Sequence, residues 1–398
     1  MAEPTIPDFF NMPPVEVRAW ARRAAAEGPT LIDEATGAVI VLRHADVERL
    51  LTDTRMVGLG LSFFDILGIK DGPLRDWYGS IMFTNEGQTH HRMRALVGKA
   101  FSPRSVEALR PVAAEVIRER LARIKAQGEG DLVAALADAP TQVMCRLLGV
   151  PLADVPVFTA WVGALSPVFL LMSPDQIAAA TDAIEKLLAY TADLCARREA
   201  APGDDLISAL IAVEHDGERF TRAETAAMVA NLLVAGHDTT ASQSACTFLT
   251  LLAQPDLLAE ARSDPGLISA IVTESIRLEP SIGIIGRTLI EPAEICGVLR
   301  PAGAMIVLNT LSANTDPAVW RDADVFDPRR FSDPDAPRML TFGGGVHACL
   351  GTWLARVTLE EMVRTVAELA PTLTAPKADI SWTRVLGENP ERLPVAVG

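Results

Sequence analysis

From Arg222 to Gln254 the chain contains no proline, and Pro255 ends the run. Thr221 and Glu224 stand at its start in the T-x-x-E spacing that lets the first turn of a helix satisfy its own free N–H groups. A continuous helix here would be roughly 50 Å long at 1.5 Å per residue, enough to cross a whole molecule. Beyond its first turn it is apolar on nearly all sides, so it must be enclosed by other protein. That single rod demands a large, helix-dominated body around it. With 398 residues and 49% hydrophobic content, the chain can supply one.

The middle of the rod breaks its own pattern with "AGHDTT", Ala235 to Thr240. Glycine costs about 1 kcal/mol relative to alanine inside a helix, and a carboxylate buried without partners costs more. A local kink around a satisfied core aspartate is the plain explanation. A functional site is the sharper one, because a buried acid in an apolar helix often marks chemistry. Thr239 could bond back to a carbonyl one turn earlier or open the helix for a ligand.

Elsewhere, "TGAVIVLRHADVERLL" predicts a strand over 38–42 and a helix from about Ala45. Residues 90–275 read mostly as helices broken at Pro103, Pro151, Pro167 and "APGDD". "EICGVLRPAGAMIVLN" reads as two short strands around a Pro-Ala-Gly turn, and the C-terminal "LGENPERLPVAVG" ends in another strand. The fold class is therefore mainly α with a small β portion, drawn from about 38–42, 283–310 and 377–398. Because that β portion comes from both ends, one interlocked unit over 1–398 is expected, not two sequential domains. A net charge of -15 argues against nucleic acid as the main partner. Five scattered cysteines with no C-x-x-C pair argue against a zinc knuckle or dithiol site and suit a reducing cytoplasm. The first thirty residues show neither a signal peptide nor a membrane anchor.

"TFGGGVHACLG", Thr341 to Gly351, places three glycines before Cys349. They permit a tight turn and close approach of the backbone to something flat and bulky. A phosphate loop does not fit, since no Gly-Lys-Ser/Thr follows and Ala348 breaks G-x-G-x-x-G. A nucleophilic cysteine with His347 as its base is unfavourable at that spacing. The helical period after Cys349 puts the sulfur near a helix N-terminus, where a thiolate is favoured. A buried thiolate with no second cysteine nearby suits a metal whose other ligands come from a cofactor, and haem takes one axial protein ligand.

The segment resembles the F-G-x-G-x-H-x-C-x-G loop of the cytochrome P-450 superfamily, with Phe342, Gly343, Gly345, His347, Cys349 and Gly351 at the fixed positions. The resemblance extends along the chain. "ESIR" (Glu274, Arg277) and "VFDPRRF" (Arg330) resemble a buried structural network that supports the cysteine loop. "EGQTHHRMRALVGKAFSPR" is similar to the helix that meets the haem propionates, at His90 and Arg94, with Arg287 and His347 completing the set. It departs from the family by carrying Glu86-Gly87-Gln88-Thr89 where Asp-Pro-Pro-Glu is usual, which puts the shape of the preceding loop in doubt. "AGHDTT" is similar to the oxygen-activation segment, which implies that Ala235 lines the site, Gly236 leaves room beside the iron, Thr239 bonds dioxygen or water, and Asp238 feeds protons. His237 occupies a variable slot, where a packed or solvent-linked histidine is expected.

The resemblance implies a cytochrome P-450 fold holding haem b (iron protoporphyrin IX) on Cys349. The implied reaction inserts one oxygen atom from O2 into a hydrophobic small molecule. It also implies a cytoplasmic monomer without a membrane anchor, reduced by a ferredoxin and an NAD(P)H-dependent ferredoxin reductase. Arg92, Lys99 and Arg104 are the expected basic docking patch. "GLGLSFFDILG", "LSPVFLLM", Val234, Ala235, "SIGIIG" and a turn near Leu386 are the expected pocket walls. The competing readings are a peroxide-driven peroxygenase, a haem-thiolate binding or sensor protein, and, remotely, a cysteine-nucleophile transferase.

Overall fold

The structure is a computed structural model of the chain and describes residues 3–169, 172–375, 380–384 and 387–398. The long helix forms as one unbroken element, Arg222–Leu252, with the Thr221 and Glu224 side chains making the reciprocal cap bonds. Twenty of its 31 residues are buried. It lies beneath the helices Pro174–Ala200, Ala139–Leu148, Val155–Leu165 and Leu267–Leu278 and against Thr352–Leu369, which together form the main apolar core. Pro255 does more than stop the rod: it is the first residue of the next helix, Pro255–Ser263.

The small β portion is a six-stranded sheet in the order Thr5–Ile6, Thr30–Asp33, Val39–Val41, Met305–Asn309, Ile284–Leu289, Met56–Val57. N-terminal strands thus pair with strands from residues 284–309, whereas the C-terminal strand Pro394–Val397 joins a separate three-stranded sheet with Leu373–Thr374 and Glu129–Asp131. Arg287 pairs with Ile306 in the six-stranded sheet, and that register carries its side chain into the interior, where it is 5% exposed.

Three details differ from the sequence reading. The Pro301-Ala302-Gly303 turn does not make a hairpin. It links Val298–Arg300, paired with Ala293–Ile295, to Met305–Asn309 in the main sheet. The hairpin turn is Cys296-Gly297, both with positive φ (49° and 85°), as a two-residue primed turn requires. Second, the helical stretch is interrupted by a strand, Glu129–Asp131, which pairs with Pro394–Val397. Gly128, left-handed at φ 79°, ends the preceding helix and turns the chain into it. Third, the helix expected from Ala45 begins at His44. Residues 170–171 of "LSPVFLLM", Leu386 and part of 377–398 lie outside the described residues. The apolar stretch Leu152–Phe169 is helical throughout, the α-helix Val155–Leu165 lying between the 3-10 turns Leu152–Asp154 and Ser166–Phe169, and it is long and apolar enough to cross a membrane, a property that core helices share.

Candidate active site

The cysteine loop is held from several sides. Glu274 and Arg277 are fully buried and joined by two bonds of 2.7 Å. Arg330 Nε donates to Glu274 Oε1 at 2.9 Å, completing the expected three-residue network. Arg277 also donates to the carbonyls of Asn314 and Ala323. Asn314 in turn donates to Thr341 Oγ1 and accepts from the Leu340 N–H, so the buried charges clamp the start of the loop.

Gly343 and Gly345 adopt φ of 70° and 63°, conformations that side chains rarely take. What crowds these glycines is protein. A Cβ on Gly345 would lie 2.9 Å from the Leu51 carbonyl oxygen, and one on Gly344 3.1 Å from Leu51 Cβ. The glycine run thus allows a sharp loop packed on Leu51 and Thr52, in keeping with the tight turn expected from the sequence. Phe342 accepts from the Cys349 N–H at 2.9 Å, closing the turn.

Cys349 lies just upstream of the helix Thr352–Leu369, whose N-cap is Gly351. Cys145, Cys195 and Cys246 are buried and Cys296 is half-buried, whereas the protein leaves Cys349 accessible. Its surroundings are still dry enough that desolvation pushes the thiol up, against the Gly351 and Thr352 N–H groups, the Thr352 hydroxyl and nearby Arg94, which favour the thiolate. Accessible to a ligand yet poorly solvated, the sulfur is placed to bind a metal rather than to titrate freely in water.

Around it the structure gathers the residues expected to meet carboxylates. His90 is 1% exposed, and its ring lies 4.4 Å from that of His347. Burial, with His347, Arg94 and His91 nearby, pushes His90 down to about 4, Glu86 pulling the other way. His90 is thus a neutral N–H donor at pH 7, where the resemblance implies a cation. Both of its ring nitrogens are buried without a partner. Arg94 and Arg287 are held below the ordinary arginine value by desolvation. A buried His90 N–H with no acceptor among the described residues, beside the Arg94 and Arg287 guanidiniums, is what a haem propionate would satisfy, and with the accessible cysteine these residues fit that group.

The central helix opens at one place. Residues Thr225–Val234 are buried, Ala235 is exposed, and Asp238 and Thr239 are half-buried. The spacing i, i+3, i+4 puts these three on one face. Thr239 Oγ1 donates to the Ala235 carbonyl at 2.8 Å, so the helix is bonded back rather than broken. Asp238 Oδ2 is buried without a partner, and desolvation raises the carboxyl to about 6. Gly236 is not on this face. A Cβ there would lie 3.0 Å from Met144 Cγ, so its smallness serves packing on the helix Ala139–Leu148.

His237, expected to be packed, is 8% exposed. Its Nδ1 is hydrogen-bonded to Thr141 Oγ1, and its Nε2 lies 3.2 Å from Asp238 Oδ1. The sequence reading misses Glu86, which stands among the histidines, and Arg338, which donates to the Gly343 carbonyl at 2.9 Å. The broken Asp-Pro-Pro-Glu pattern was the available signal for Glu86. Nothing local marks Arg338.

Comparison with known proteins agrees with this geometry. A family profile described as Cytochrome P450 matches residues 29–367. The chain is 35% identical over 366 residues to nocardicin C N-oxygenase of Nocardia uniformis subsp. tsuyamanensis, covering 89% of this chain and 88% of that protein. It is 38% identical over 331 residues to erythromycin C-12 hydroxylase of Saccharopolyspora erythraea, covering 81% and 80%. The open structure of cytochrome P450 EryK from S. erythraea superimposes with a TM-score of 0.84 at 34% identity, covering 97% of this chain and 96% of that one. A fold built around one apolar rod, an accessible loop cysteine and relatives that are oxygenases and hydroxylases lead to one assignment: this chain belongs to the cytochrome P450 family and is a haem-thiolate monooxygenase.

Proposed function

We propose that the enzyme oxidises a hydrophobic small molecule at haem b held by Cys349, with His90, Arg94, Arg287 and His347 receiving the propionates and Phe342 and Gly343 shaping the loop. The observation that carries this is the exposed Cys349 beside buried, unpartnered His90 nitrogens. The bound haem supplies dioxygen activation, with the thiolate donating electron density. The chain's own contributions are positional and protonic. Ala235 leaves the helix face open to the ligand side. Asp238, raised to about 6, takes up a proton near neutrality more readily than an ordinary carboxylate and passes it from Oδ2. Thr239 keeps a hydroxyl beside that carboxyl, within reach of water or dioxygen. Reprotonation of Asp238 from solvent closes the cycle.

Apolar walls favour a hydrophobic substrate: Val234 is buried beside Ala235, and half-buried Ile284 and Ile285 precede Arg287. The relatives' names tell what those proteins oxidise and do not select a substrate here. A panel of apolar compounds titrated into the haem-loaded protein tests the reading. Binding should displace iron-bound water and shift the Soret band, and a panel spanning terpenoids, steroids, fatty acids and aromatics that shifts nothing would contradict it.

Electrons are proposed to come from a ferredoxin and its NAD(P)H-dependent reductase in the cytoplasm, with the enzyme acting as a monomer. Within the expected docking patch Arg92 is tied to Glu218 and Glu224, whereas exposed Lys99, donating only to the Glu214 carbonyl, and exposed Arg104 keep their charge. A second candidate is the concavity of about 430 Å³ outside the cysteine loop, where Arg338 and Arg356 flank exposed Trp353. Reversing Arg338 should slow reduction by ferredoxin at low salt. Unchanged rates would exclude this face.

A further inference from the structure

Glu86 occupies the N-cap position of the helix Gly87–Ala100, with the extended backbone of a cap (φ -128°, ψ 171°), yet its side chain caps nothing. Its two carboxylate oxygens reach outward. Oε1 accepts from the Gly58 N–H at 2.8 Å, and Oε2 accepts from His347 Nε2 at 2.9 Å. These partners are 28 and 261 residues away in sequence. One belongs to the segment "GLGLSFFDILG" on the substrate side, and the other to the cysteine loop. Gly58 lies against the helix end: a Cβ there would make ordinary contact with the Phe83 carbonyl oxygen at 3.4 Å and Glu86 Oε1 at 3.6 Å. Arg287 and His90 both sense the Glu86 charge.

We propose that Glu86 is a positioning residue that latches the substrate-side segment beginning at Gly58 to the cysteine loop through His347. Seating of the haem and order of the substrate wall are then one event, because the same carboxylate fixes the His347 ring and the Gly58 backbone. Glutamate suits this place because its extra methylene carries the carboxylate past its own helix end, whereas a shorter aspartate would bond the free N–H groups of the first turn. The inference rests on the haem-thiolate reading.

The test uses haem-loaded Glu86→Ala and Glu86→Gln proteins. Two quantities are measured: amide hydrogen exchange over residues 56–68, and the rate of haem transfer to excess apomyoglobin. The alanine variant should exchange Gly58 and its neighbours roughly tenfold faster or more, the effect of losing one charge-assisted hydrogen bond, and should lose haem several-fold faster. The glutamine variant can still accept from Gly58 and donate to His347, so it should stay within about twofold of the parent on both measures. The latch is overturned if the alanine variant matches the parent, if only one of the two rates changes, or if glutamine is as damaging as alanine, which would make charge the agent. The carbon monoxide spectrum of the reduced parent separates the two levels. A parent lacking the thiolate band defeats the haem-thiolate reading; a normal parent with an unresponsive Glu86→Ala variant defeats only the latch.

Discussion

Asp238→Asn should make the enzyme more stable at neutral pH while damaging its chemistry. The wild-type carboxyl is raised from 3.8 to about 6 by desolvation, and its Oδ2 has no partner. A tenfold change in proton affinity is worth about 1.4 kcal/mol, so ionised Asp238 costs about 3 kcal/mol of folding stability. The pH dependence follows from which state holds the proton. Below pH 4 the carboxyl is protonated in folded and unfolded chains alike, and the two proteins should differ little. Between pH 4 and 6 the unfolded chain ionises first while the folded one keeps its proton, so the wild type loses stability relative to the variant. Above pH 6 both states are ionised and the gap levels off. Urea unfolding of haem-loaded protein, followed by circular dichroism from pH 4.5 to 8, should show the variant's advantage growing to at most about 3 kcal/mol. In the same variant, the rate of product formation should fall about a hundredfold, the usual worth of a positioned proton donor. A gap independent of pH, or a variant less stable than wild type at pH 8, would refute the reasoning.

Other residues give equally direct outcomes. Thr239→Ala removes only a back-bond to the Ala235 carbonyl, so stability should change by about 1 kcal/mol or less while electrons are diverted to peroxide; unaltered coupling, read as product per NAD(P)H, would remove Thr239 from the mechanism. Gly236→Ala gains about 1 kcal/mol of helix propensity and asks only the flexible Met144 side chain to move, so stability should stay within about 1 kcal/mol and haem absorption should be unchanged; haem loss would assign Gly236 the clearance role as well. Glu274→Ala strands Arg277 at 0% exposure and should cost about 3–5 kcal/mol in chemical denaturation; a loss under 1 kcal/mol would mean the network does not support the loop.

The parts legible in the sequence were those where a local pattern has one physical solution. A proline-free apolar run behind Thr221 and Glu224 can only be a buried helix, and so it is. Glu274 and Arg277 at i, i+3 could be read as a pair, while Arg330 as its third member came only from the family resemblance. What escaped depends on partners distant in the chain. Gly236 looks the same in sequence whether it clears space for a porphyrin or for Met144, and only the crossing of two helices reveals Met144. Arg92 reads as a free charge until Glu218, in the loop before the long helix, and Glu224, in that helix's first turn, meet it. The strand Glu129–Asp131 could not be seen because its partner is the C-terminus. The aim of Glu86 is set by tertiary contact alone.

The central claim is that Cys349 binds haem iron as a thiolate. Dithionite-reduced, haem-loaded protein under carbon monoxide should show the long-wavelength Soret band of thiolate ligation. A folded Cys349→His variant that retains haem should show only the shorter-wavelength band of imidazole ligation. The absence of the long-wavelength band from fresh, fully loaded wild type, or its persistence in the histidine variant, would contradict the account.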